Sequence, residues 1–370
     1  MTKPVQAGAP ADVKKPGSGA IAEEFVVGRV KVVTHAKVNS ELLSQTGMAS
    51  IQELVKIEIM EGPYKGTEVV VPNEIGDNPA YNVLVEPGNE VILSVVTENG
   101  GKPEFNIADY HRAPAIYWLL GAFLLAFLFF GGRNGLKSLL GLIVSVSLIA
   151  LVLLPLSLKG INPLLTAIFI CLIATVTGTT LVAGRTKKAL ACIAGTVGGV
   201  IVAGIAAQLV IVGAPLTGLT SEEAQILRGS VLNQPREFYS GLLAAGMLIG
   251  ALGVIMDVGI SIASSVQEVA NTDANLTASK LYQSGMNVGR DIMGTMTNTL
   301  ILAYTGGALP LLLLVSQMPS TKLINLDLVA TEVAAALSGS LGLVLTIPMT
   351  AFAAAKLMAR PEISPTDFPC

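Results

Sequence analysis

Two stretches of this 370-residue chain place ionisable and hydroxyl side chains within or beside strongly apolar sequence. The first is Met256-Asp257-Val258-Gly259-Ile260-Ser261-Ile262-Ala263-Ser264-Ser265-Val266-Gln267-Glu268. At about 100° per residue, Asp257, Ser261, Ser264, Ser265 and Glu268 share one helix face, while Val258, Ile262, Val266 and Val269 take a neighbouring one. The second is Gly289-Arg290-Asp291-Ile292-Met293-Gly294-Thr295-Met296-Thr297-Asn298-Thr299, in which Asp291, Thr295 and Asn298 align at i, i+4 and i+7. A carboxylate at membrane depth costs about 2.5–3.5 kcal/mol on insertion scales, so it normally faces a partner or a wet cavity. Carboxylates flanked by neutral oxygens suit a proton or a hard cation. Spacing leaves the question of a metal open.

A plainer reading of the same residues stands beside this one. Asp257 and Asp291 fall near the ends of apolar blocks, where charge costs little. Ser261 to Glu268 also fit an interfacial amphipathic helix with a wet polar face. Asp291 near a helix start is favoured by the dipole, and Arg290 can simply anchor a helix end. Thr175, Thr177, Thr179 and Thr180 around Gly178 could line a path, yet threonine often returns its hydroxyl to the helix backbone. Gln208, Pro310 after Gly306-Gly307, and Pro348 are candidate helix discontinuities, or ordinary kinks.

Other chemistries find no support. There is no nucleotide-binding loop, HExxH, serine elbow or zinc-ligand cluster, and His35 and His111, the two histidines, lie outside the apolar blocks. Cys171 and Cys192 sit inside apolar blocks and Cys370 ends the chain; none forms a metal or disulfide pattern. A net charge of −3 without a basic run argues against nucleic acid. Asp257 and Asp291 as a proton-sharing aspartyl pair are the weakest alternative.

The elements that must position these residues follow from composition. Hydrophobic residues make up 52% and charged residues 13%, against about 25% charged in soluble domains. Seven apolar blocks follow Arg112: 114–132, 136–158, 162–184, 190–212, 238–258, 292–315 and 329–357. Each approaches the roughly 20 residues that cross a hydrocarbon core as a helix. Asn162-Pro163 reads as a cap and helix start, and Thr277 as a cap for a helix with Leu281, Gly285 and Val288 on its apolar side. Tyr110, Tyr117 and Trp118 stand where an aromatic belt would begin. Gly195/Gly199 and Gly246/Gly250 place glycines four apart, as helices in close contact do.

Before the blocks, residues 25–106 read as β-rich. Val55–Ile59 alternates, the turn Glu61–Gly66 follows, and Thr67–Val71 completes a predicted hairpin. Val83–Val85, the turn Glu86–Asn89 and Val91–Val96 predict a second. Five or six short strands suit a small closed barrel or sandwich, OB-like in size. Met1–Glu24 lacks an apolar run and reads as a flexible tail rather than a signal peptide.

Basic residues concentrate on alternate connections: Arg133 and Lys137, Arg185 to Lys188, Lys280 and Arg290, Lys356 and Arg360. The positive-inside rule makes these cytoplasmic and puts the β-domain outside.

Residues Gly250 to Ser265 with Glu268, and Gly289 to Leu300 with Ala303-Tyr304, resemble the two signatures of the YibE/F-like family of bacterial membrane proteins. The likeness runs from the β-domain to the last helix. It implies a multipass protein with an extracytoplasmic β-domain, usually introduced by one more N-terminal helix, a feature from which this sequence departs. The family is commonly treated as transporters or permeases, and the resemblance assigns no residue roles.

The expectation is an α-helical polytopic membrane protein with about seven transmembrane helices and an N-terminal small β-barrel or OB-like domain. Its predicted parts are a tail (1–24), an extracytoplasmic β-domain (25–110), a helical bundle (111–358) and a cytoplasmic tail (359–370). The leading function is secondary-type transport of a small solute or ion, without enzymatic activity or cofactor, at the seam of Asp257, Ser261, Ser264, Ser265, Glu268, Asp291, Thr295 and Asn298. The alternative is a non-transporting assembly or sensing protein whose outer β-domain binds an envelope partner. Expected partners are the lipid bilayer of the bacterial plasma membrane, the solute, and a second copy or a paralogous membrane protein.

Overall fold

The computed structural model describes residues 22–35, 51–76, 82–97, 103–231, 234–273, 275–316 and 318–359. Residues 1–21 and 360–370 of the predicted tails lie outside the described residues, whereas Ala22–Glu24, read from the sequence as tail, pair with Val95–Thr97 in the sheet.

Five strands form one antiparallel sheet: β1 (Ala22–His35), β2 (Ile51–Ile59), β3 (Glu68–Ile75), β4 (Glu90–Thr97) and β5 (Glu104–Tyr110). Their order is β3-β2-β1-β4-β5, and the edge strands β3 and β5 approach within 8 Å at Cα, giving a half-barrel. Period-two patterning explains its inside, where Val26, Val30, Val55, Ile57, Val71, Val91, Leu93 and Val95 are buried. Gly28 of β1 sits where a Cβ would stand 2.5 Å from the Ile57 side chain, so the strands close there only over glycine.

The first predicted hairpin is present: β2 and β3 pair from Ile51↔Ile75 to Glu58↔Glu68. The second is not. Val83–Val85 forms no strand, and β4 pairs with β1 and β5 instead. The reason lies in who satisfies its carbonyls. Asn73 Nδ2 donates to Val83 O at 2.9 Å and the Tyr110 hydroxyl donates to Leu84 O, so side chains replace a partner strand. The Glu86–Asn89 turn then docks on β1 through Gly88 N to Val30 O (2.8 Å) and Val30 N to Asn89 O (2.9 Å). Tyr110 therefore belongs to the sheet rather than to an aromatic belt; Tyr117 and Trp118 are exposed on the first helix.

The remainder is helical and apolar: α1 (Ala113–Leu158), α2 (Pro163–Ala183), α3 (Lys187–Gly213), α4 (Arg236–Thr272), α5 (Ala278–Gly307), α6 (Leu309–Val315) and α7 (Asp327–Met358). Five of these are long and apolar enough to cross a membrane alone, and the α5–α6 pair, bent by 65°, is a sixth candidate. The first two predicted blocks are merged in α1. Its 46 residues would extend about 69 Å, more than twice a hydrocarbon core of about 30 Å. Gly132 breaks it with φ 52° and ψ −134°, a backbone conformation that favours glycine. A Cβ on Gly135 would lie 3.0 Å from Phe127 O, although an unbroken helix would separate these residues by about 12 Å. Divided at Gly132, α1 covers both predicted blocks, so the five candidate spans, or six with the bent pair, roughly fit the expectation of about seven. Further along, residues 149–153 widen into a π turn ahead of Pro155, which lacks an N–H and clashes with the preceding turn.

The helical core lies where α3, α4 and α7 meet, around Val200, Ile255, Ile262, Leu343 and Ile347. Gly195 and Gly199 of α3 make the predicted close contact, and the partner is α7. Cβ atoms there would stand 2.8 Å from Thr350 Cα and 2.8 Å from Gly342 O. Gly246/Gly250 differs: Gly246 faces open space and Gly250 alone is covered. The capping expectations hold. Asn162 Oδ1 accepts from Leu164 N at 3.0 Å and Leu165 N at 3.4 Å, and Thr277 Oγ1 accepts from Lys280 N at 3.4 Å. Helix α7 runs through Pro348 unbroken, whereas the Gly306-Gly307/Pro310 region is a true discontinuity.

Candidate functional site

The polar residues of α4 lie on one 37-residue helix that continues about 20 Å beyond the apolar block predicted to end at Val258. The buried face of α4 carries Ile255, Val258, Gly259, Ile262, Ala263 and Val266. Asp257, Ser261 and Glu268 are exposed on the opposite side, with Ser264 and Ser265 half-buried. Helix α5 repeats the arrangement. Leu281, Gly285, Gly289 and Leu300 are buried, and Asp291, Thr295 and Asn298 are exposed across from them.

Close contacts fix how the two faces align. Gly285 meets Val266, Gly289 meets Ile262, and Gly250 meets the Tyr304 hydroxyl, so α4 and α5 run antiparallel side by side. This register sets Asp257 level with Thr295, and Ser261 level with Asp291. Along the helix axes the two carboxylates are then about one helical turn apart. On each helix the polar face is turned away from the packed core. The two faces do not enclose a cavity between them, because the small residues of α5 that touch α4 and α7 occupy the opposite face.

The hydroxyls divide in the way helix chemistry dictates. Ser265 Oγ donates to Ser261 O and Thr295 Oγ1 to Ile292 O, each at 2.9 Å. Thr175 and Thr177 do the same on α2, donating to Cys171 O and Ile173 O at 2.7 Å, while Thr179 lies 3.7 Å from Cys192 Sγ. Among the described residues the carboxylates of Asp257, Glu268 and Asp291 have no ion pair. Nor do the described residues hold a group of three His, Cys, Asp or Glu side chains arranged to take a metal.

Sequence reasoning passed over Glu332. It lies inside the last apolar block, and its signal was the same one used for Asp257: a carboxylate within a span. Half-buried on α7, it lines a cleft of about 260 Å³ with Tyr304 and Thr305 of α5 and otherwise apolar side chains. Thr297 was also missed; its Oγ1 is buried and without a hydrogen-bond partner among the described residues.

On the half-barrel, charged pairs cross the strands. Lys56–Glu68 (2.5 Å) links β2 to β3, Lys31–Glu58 (2.6 Å) links β1 to β2, and Arg29–Glu90 (2.8 Å) links β1 to β4. His111 Nδ1 adds a 3.1 Å contact to Glu90. The Lys31 hydrogen bond and charge hold Glu58 below its usual carboxylate range, and Arg29 with His111 does so for Glu90.

A family model described as YibE/F-like protein matches residues 119–360, and one described as YibE/F family N-terminal domain matches residues 26–110. No curated protein and no solved structure matches the chain.

Proposed function

The chain belongs to the YibE/F-like family, and from that premise we propose that this membrane protein is a secondary-type transporter or permease for a small solute or ion. The observation that carries the reading is the level alignment of Asp257 with Thr295 and of Ser261 with Asp291 on adjacent antiparallel helices. Ionisable and hydroxyl groups then lie on outward faces at matching levels of two neighbouring helices. Such polar faces are costly against lipid and useful against water. The carboxylates hold the charge, and Ser261, Ser264, Thr295 and Asn298 supply neutral oxygens beside it. Because these faces point outward, a path along them needs a second surface, and another copy of the chain is the partner this reading implies. By the positive-inside rule, this reading has the β-domain outside a bacterial plasma membrane and Arg185–Lys188 inside it. Labelling of a cysteine at position 65 from outside intact cells, and not at 187, is the expected result.

The test is a solute screen in proteoliposomes. Asp257→Asn and Asp291→Asn keep shape and remove the ionisable group, and each should abolish pH- or cation-dependent movement while the protein stays folded. Glu268→Gln should matter less, since Glu268 lies three turns beyond Asp257. Wild-type rates with unchanged pH dependence in both asparagine variants would refute the reading.

A second reading is favoured by the outward direction of the polar faces themselves. A non-transporting assembly or sensing protein would use them as a static contact, with the charged face of the half-barrel meeting an envelope partner.

A further inference from the structure

The chain breaks at Ala308, and a second feature of the bundle depends on that break. Gly306 and Gly307 end α5, and Pro310 cannot donate the N–H that would continue it. Helix α6 therefore leaves at 65°, opening a wedge against α7. On α7 the wedge is faced by Val329, Glu332, Val333, Ala336 and Leu337, a helical stripe at spacings of three and four. Glu332 stands five residues into α7, about 7.5 Å from its start, and Leu337 lies about 7.5 Å deeper. The start of α7 is itself anchored, because Thr217 Oγ1 donates to Asp327 Oδ2 at 2.6 Å.

We propose that this wedge is a binding site for an amphipathic organic cation: a monovalent ammonium-type group held at Glu332, with an apolar body directed toward Ile301 and Leu337. Charge is the first argument. Glu332 is the one acidic side chain lining the cleft and has no ion pair among the described residues, so a cation complements its carboxylate. The walls supply the second. A hydrated inorganic ion needs many oxygens, six to eight for calcium. Here the Thr305 hydroxyl already donates to Ile301 O at 2.8 Å, and the Tyr304 hydroxyl leans onto Gly250. What remains is one carboxylate, an aromatic ring and aliphatic surface. The Tyr304 ring adds the attraction of an aromatic face for a poorly hydrated cation. The volume of about 260 Å³ fits a small ligand.

The site shares no residue with the Asp257–Asp291 seam, and equilibrium binding requires no transport, so either proposal can fail alone. The experiment is titration of the purified full chain in nanodiscs with benzyltrimethylammonium. Saturable binding is expected, weakened at least tenfold by Glu332→Gln and preserved by Glu332→Asp. Leu337→Trp, which fills the deep end and leaves the carboxylate in place, should also abolish binding and serves if Glu332→Gln does not fold. Absence of saturable binding, wild-type affinity in a folded Glu332→Gln or Leu337→Trp protein, or displacement by equimolar sodium would each overturn the proposal.

Discussion

The Tyr304 hydroxyl rests on Gly250, 2.6 Å from where a Cβ would stand. Gly250 opens the first of the two sequence signatures and Tyr304 closes the second, so the motifs touch at their ends. Gly250→Ala should displace the ring and destabilise the protein by about 1–3 kcal/mol, the usual range for overpacking. Tyr304→Phe removes the obstructing oxygen and should relieve most of that loss. A double-mutant cycle on thermal unfolding in detergent measures the coupling, expected at about 0.5–3 kcal/mol. Strict additivity would show that the two residues do not meet.

Glycines on the two sides of the bundle should behave oppositely. Gly199→Ala puts a methyl 2.8 Å from Gly342 O and against Thr346, both on a packed helix. A cost of about 1–3 kcal/mol is expected. Gly253 and Gly294 face open space on the seam side of α4 and α5. Alanine there should be neutral, or stabilise by about 0.5–1 kcal/mol through helix propensity. Unfolding of the detergent-solubilised protein distinguishes the two classes. A loss at Gly253 or Gly294 confined to the membrane-embedded protein would indicate that another copy covers the seam.

Acid should loosen the half-barrel. Arg29 and His111 lower Glu90, Lys31 lowers Glu58, and Arg112 with the Tyr110 N–H lowers Asp109. A carboxyl that is lowered on folding stabilises above its unfolded value, 4.5 for Glu and 3.8 for Asp, and loses that contribution as pH falls through the folded value. All three groups are solvent-open, so the effect is small and screened by salt. Hydrogen exchange of Val26–Val33, corrected for intrinsic rates, should show protection flat from pH 7 to 5 and declining below 4.5. Glu90→Gln should shrink that decline. A loss of protection centred near pH 6 would contradict the assignment.

Much of the architecture was legible from residues close together in the chain, because the forces that set it are local. Long apolar runs fix spans through transfer into lipid, and alternation of Val and Ile with charge fixes β2 and β3. Asn162 and Thr277 revealed their helix starts because a cap bonds residues only two or three positions away. The resemblance carried by the two signatures was equally readable.

The tertiary structure decided what depends on partners distant in sequence. Val83–Val85 has strand-like composition, but Asn73 and Tyr110 claim its carbonyls. Gly195 and Gly199 advertised a close contact, and only packing identified α7, some 150 residues on, as the surface that meets them. The periodicity of Asp257 and Asp291 placed each on a polar face without saying where that face points. Its outward direction follows from Gly285 and Gly289 turning the other side of α5 toward α4 and α7. The wedge at Glu332 was the least accessible to sequence, because a cavity exists only where three helices diverge. That divergence is set by a break at Ala308, far along the chain from the carboxylate it exposes.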